Sequence, residues 1–126
     1  MRPASLSQVA RMTAAGDSFD RCLANFLDGF YAAPTADALM AEPPFLAPQN
    51  QETGRLMDAY LAATAEELAQ QYQFPRPSWT AGDARVLHQP CFAVSLASVR
   101  TTLLLESPPS FRARNIFVSS NALSRV

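Results

Sequence analysis

The chain has no lysine, one histidine, two cysteines and four glycines in 126 residues, and each scarcity removes a class of chemistry. Two cysteines, Cys22 and Cys91, are too few for the disulfide framework of a small secreted domain. Cys22 falls on the apolar side of a predicted helix, as a buried small hydrophobe does. His88 and Cys91 read H-x-x-C, but no second Cys/His pair exists, so zinc lacks its three or four ligands. A Cys–His nucleophile pair straddling Pro90 is disfavoured as well. The glycines (16, 29, 54 and 82) are scattered, which excludes a glycine-rich phosphate loop. Glu66 and Glu67 are adjacent, hence about 100° apart on a helix, and do not pair as catalytic carboxylates. These readings predict no enzyme, no metal and no cofactor. No apolar run approaches the ~20 residues that span a bilayer, and Met1-Arg2-Pro3-Ala4-Ser5 does not lead into a signal-peptide stretch. The expected location is cytoplasmic, away from membranes.

What is present suits one domain. Hydrophobic residues make up 48%, and a chain of this length buries roughly two-thirds of its unfolded surface. Ser5 and Gln8 form an S-x-x-Q capping box ahead of Leu6, Val9 and Met12, and Gly16 stops that short helix. Asp17 or Ser18 caps the next, whose Phe19, Cys22, Leu23, Phe26, Leu27 and Phe30 form one broad helical stripe. Pro34 ends it, and Thr35 caps a short turn through Met40. Glu42 to Pro48 reads as a loop pinned by Phe45 and Leu46.

A longer helix is predicted from about Glu52 to Gln73, with Leu56, Met57, Tyr60, Leu61, Ala65, Leu68 and Tyr72 inward. Asp58, Glu66, Glu67 and Gln70 are placed outward. Pro75 and Pro77 stop it, and Trp79 follows as a core plug. Thr80 to Leu87 reads as a brief helical turn. A third amphipathic helix is predicted to open at Pro90, with Phe92, Leu96, Val99, Leu103 and Leu104 aligned. Ser107 as cap and Pro108 as first residue suit a last short helix carrying Phe111 to Arg114. Ser119 or Ser120 is the candidate cap of a final turn. The fold expected is all-α: an irregular bundle of about three main helices, with residues 106–126 as a strap or partner-binding segment.

Charge is uneven. Up to Tyr72, nine acids against four arginines give −5; from Gln73, two acids against six arginines give +4. An acidic front and basic rear suit either an anionic partner or two halves that complement each other. The C-terminal segment interleaves Arg112, Arg114, Asn115 and Arg125 with Phe111, Ile116 and Phe117, a mixture of forked donors and apolar anchors found at binding surfaces. The alternative is a strap that closes the core. Asn115 is placed at a turn that lets Arg114 project towards a partner while Arg112 sits beside Phe111.

The run E-S-P-P-x-F-R-x-R-N-I-F-V-S-x-N-A-L-S-R, from Glu106 to Arg125, resembles the end of a family of small antitoxin-like bacterial proteins. Asp58 to Ala63, Glu67 to Ala69, Pro75-x-Pro77-x-Trp79 and Asn25 to Tyr31 with Ala41 to Pro44 are similar too. Such proteins are encoded beside a nucleotidyltransferase-like toxin, so the resemblance implies neutralisation of a cognate toxin by direct binding. The partner-binding residues expected are Phe111, Arg112, Arg114, Asn115, Phe117 and Arg125. The helix-turn-helix module that precedes this region in some relatives is absent here, which argues against operator binding. Two other readings stay open: a nucleic-acid-binding or transcriptional accessory protein using the basic segment, and a small-molecule or catalytic helical domain. The oligomeric state, a homo-oligomer included, is open too.

Overall fold

The computed structural model describes residues 2–92, 107–118 and 123. Four helices come first: α1 (Leu6–Ala14), α2 (Phe19–Ala32), α3 (Asp37–Met40) and α4 (Ala47–Gln71). Two 3-10 turns follow, Ser78–Ala81 and Asp83–Arg85, then β1 (Cys91–Phe92), α5 (Pro109–Arg112) and β2 (Ile116–Phe117). The two strands pair in parallel for only two residues each, so the fold is all-α. No described helix is long and apolar enough to cross a membrane.

The local signals act as their chemistry dictates. Ser5 Oγ accepts the Gln8 N–H at 3.1 Å, and Gln8 Oε1 reaches back to the Ala4 N–H at 2.6 Å. Gly16 has φ +116°, a backbone state that side chains disfavour, and the chain reverses there. Ser18 accepts the Arg21 N–H and Thr35 the Ala38 N–H, each at 3.3 Å. Cys22, Leu23, Phe26, Leu27 and Phe30 are buried as one stripe. Phe30 then anchors an aromatic cluster with Tyr31, Tyr72 and Phe74.

Helix α4 is the axis of the fold, touching α1, both 3-10 turns and α5. Its backbone breaks at Gln51 (φ 51°, ψ −119°), so the regular part starts at Glu52, as the sequence predicts. Leu61, Ala62, Ala63, Ala65 and Leu68 are fully buried. Small residues let neighbours close in on several sides. The sharpest approach is at Gly54, where an added Cβ would run into the Leu46 carbonyl and the Ala47 backbone.

Several expectations need correction. Asp58 is fully buried, because the segment before α4 folds back over that face. Phe45 is exposed at 43%, while Leu46 is fully buried. Phe19 and Tyr60 are only partly buried, pairing edge-on at 6.2 Å. Ser107 does not cap α5; its hydroxyl accepts from the Val118 N–H and donates to its carbonyl, both at 2.9 Å, and Pro108 takes the cap position. Cys91 and Phe92 are extended where a helix was expected to open, since their partner is the 116–117 backbone. Leu96, Val99, Leu103 and Leu104, with the caps at Ser119 and Ser120, lie outside the described residues.

Leu61→Ala is expected to lower unfolding free energy by about 2–5 kcal/mol as a core truncation. Gly54→Ala is expected to cost about 1–3 kcal/mol by overpacking. Urea denaturation of each variant checks both values.

Candidate functional site

Two buried arginines join the segments packed around α4. Arg85 ends the second 3-10 turn, and its side chain is 1% exposed. Nη2 donates to the Pro43 carbonyl at 2.7 Å and faces Glu42 Oε2 at 3.5 Å. Nη1 donates to the Asp58 carbonyl at 3.3 Å and lies 3.9 Å from Asp58 Oδ1. The guanidinium carbon sits 4.2 Å from the Phe45 ring centroid and 4.9 Å from that of Trp79, within cation–π range. Trp79 is buried as expected, and its Nε1 donates to the Leu39 carbonyl at 3.0 Å.

Asp58 completes this centre. Its Oδ1 and Oδ2 accept the Leu46 and Ala47 N–H groups at 2.7 and 3.1 Å. Gly54 and Asp58 lie one helical turn apart: the first admits the backbone of residues 46 and 47, and the second accepts its N–H groups. Burial raises the Asp58 carboxyl pKa above its ordinary value, against the pull of those two N–H donors and of Arg85. Burial likewise lowers that of Arg85, against Asp58 and Glu42.

Arg114 is the second centre, and it does not project. It is buried, donating from Nη1 to the Ser110 carbonyl at 2.8 Å. From Nη2 it donates to the Thr80 carbonyl at 2.8 Å and to Glu66 Oε2 at 2.9 Å. Arg76 meets the same Glu66 oxygen at 2.9 Å, so Glu66 is not a solvated carboxylate. The turn at Asn115 is present (φ 63°), but it brings Arg114 inward because acceptors on α4, the first 3-10 turn and α5 converge there. Asn115 Nδ2 donates to the Leu87 carbonyl at 2.7 Å.

The sequence-based partner set is therefore dispersed. Phe111 is fully buried, 4.8 Å from the Tyr60 ring, and Phe117 is buried as well. Arg112 is exposed, Asn115 is half-buried and Arg125 lies outside the described residues. Residues 107–118 act as a strap, and Tyr31 adds a hydrogen bond at 2.8 Å to the Leu123 carbonyl.

What remains open lies around Arg85. The exposed large apolar residues among those described are Met40, Phe45 and Val86. Phe45 covers the guanidinium, Val86 follows Arg85, and Met40 follows the carbonyl that holds Trp79. His88 and Cys91 instead line an open cleft of about 790 Å³ against Gln51, Glu52 and Arg55 of α4. No group of three His, Cys, Asp or Glu able to hold a metal occurs among the described residues.

Sequence reasoning missed the Arg85–Asp58 pair. One signal was available: positions 61, 62 and 65, which share a helical face with 58, are all apolar, and position 54 is glycine. The chain matches no protein-family model, no curated protein and no solved structure.

Arg114→Ala is expected to lose about 1–3 kcal/mol by leaving the buried Ser110 and Thr80 carbonyls without their donor, whereas Arg112→Ala stays within about 0.5 kcal/mol. Thermal and urea unfolding of the pair separates strap from surface. Because the Asp58 carboxyl binds its proton more tightly folded than unfolded, its contribution to stability is largest below the ordinary carboxylate pKa. That contribution declines as pH rises through the raised value. Asp58→Asn cannot titrate, so the stability of wild type relative to this variant is expected to fall across that interval, read from urea midpoints at successive pH values.

Proposed function

We propose that the chain is an antitoxin-like protein that neutralises a cognate toxin by direct binding, through the face formed by Met40, Phe45 and Val86. The observation that carries this reading is that the large apolar side chains exposed among the described residues lie on the segments that meet at the buried Arg85. Large apolar groups held at a surface mark interaction sites more than scattered ones do. A loop already fixed by Arg85 and Asp58 loses little further freedom on binding, and pre-organisation of this kind raises affinity. The resemblance of the C-terminal run supplies the class of partner, a nucleotidyltransferase-like toxin.

Arg112, at the end of α5, is exposed. The nucleic-acid reading loses support because Arg114, central to the basic segment, is buried against Glu66.

The test is co-expression with the toxin encoded by the neighbouring reading frame. Wild type is expected to restore growth and to co-purify with the toxin. Met40→Ser is expected to lose both while keeping the wild-type melting temperature, and Phe45→Ser to lose both with a lowered melting temperature, because its ring also covers Arg85. Failure of wild type to rescue or co-purify overturns the antitoxin reading; full rescue by the two variants moves the interface elsewhere.

A further inference from the structure

Each exposed apolar residue of this face has an exposed acid three positions before it: Asp37 and Met40, Glu42 and Phe45, Asp83 and Val86. On α3, residues three apart share one side of the turn. Glu42 and Phe45 both reach the same guanidinium, at 3.5 Å from Nη2 and 4.2 Å from its carbon. The Val86 N–H closes the second 3-10 turn on the Asp83 carbonyl at 3.2 Å.

The charge of the face is one-sided. Arg85 lies beneath it with its side chain 1% exposed, and its positive charge is already engaged by Asp58 and Glu42. Counting the exposed Asp37, Glu42 and Asp83 against Arg85, three negative charges and one positive leave −2. Arg76, the exposed arginine before Trp79, is drawn instead to Glu66.

We infer that this face docks a protein partner presenting apolar side chains inside a basic, Lys- or Arg-rich rim, an inference that rests on the binding face proposed above. Charge complementarity selects the occupant. An acidic rim repels nucleic acid and any acidic surface, while it attracts a basic one and steers its approach.

The probe is a synthetic amphipathic helical peptide of Leu and Lys, with a Leu/Glu peptide of the same pattern as control, titrated into the isotope-labelled full chain. The Leu/Lys peptide is expected to shift the amide resonances of residues 37–46 and 83–87, and the Leu/Glu peptide to shift none. The Asp37→Asn, Glu42→Gln, Asp83→Asn triple variant is expected to bind about tenfold more weakly, since exposed charge pairs are individually small but cumulative. The Asp37→Asn, Asp83→Asn double variant leaves the Arg85 contacts untouched and is expected to weaken binding in the same direction. Phe45→Ser is expected to weaken it about tenfold or more. No shift at this face, equal binding of both peptides, or shifts of the same amides by a single-stranded oligonucleotide overturns the inference. So does self-association in sedimentation equilibrium that Phe45→Ser abolishes, because the occupant would then be a second copy. If the triple variant neutralises the toxin as well as wild type, the charge inference fails and the antitoxin reading stands. If the peptide binds as expected but wild type neutralises nothing, the antitoxin reading fails and the docking face stands.

Discussion

The Arg85 guanidinium, withdrawn from water and within cation–π range of two aromatic rings, joins three parts of the chain: the segment ahead of α4, α4 itself and the 3-10 turns. Pro43, Pro44 and Pro48 have no N–H to donate, so the segment ahead of α4 cannot join a backbone ladder. It offers carbonyls, a glutamate and the Phe45 ring. Arginine has only donors, fixed in a planar fork, and so complements such a segment. Bringing that charge inside costs desolvation energy, which the carbonyls of Pro43 and Asp58, the Asp58 and Glu42 carboxylates and the two rings offset.

Arg114 repeats this logic at the other end of α4. It takes acceptors from α5, from the first 3-10 turn and from Glu66, and so ties the C-terminal strap to the body. The consequence for recognition is electrostatic. The rear half of the chain carries an excess of arginine, yet two of its six arginines are buried here and a third, Arg76, is spent on Glu66. What the molecule presents beside Arg85 is acidic and apolar instead. A basic sequence segment therefore does not make a basic surface when its arginines bridge backbone carbonyls.

Much of the scaffold was legible in the order of residues. The helix stripe from Phe19 to Phe30, the caps at Ser5, Ser18 and Thr35, the stop at Gly16 and the start of regular helix at Glu52 depend on neighbours within a few positions. Periodicity and capping report such neighbours directly. The turn at Asn115 belongs with them, because a left-handed residue before a β-prone run is a local preference.

The roles of Asp58, Phe45, Arg85 and Arg114 were settled elsewhere. Each depends on a group far along the chain: Asp58 on the backbone at 46 and 47, Arg85 on Pro43 and Trp79, Arg114 on Glu66 and Thr80. A charged residue in a polar stretch looks the same in sequence whether it meets solvent or a carbonyl brought in from forty positions away. By itself the sequence determined the helices between Leu6 and Met40, the long helix from Glu52 and the apolar stripe from Cys22 to Phe30, because those are properties of short-range geometry. Only the tertiary structure decided which arginines are inside and which acids and apolar side chains are left outside, because burial of a charge is determined by the acceptors that the packing of distant segments supplies.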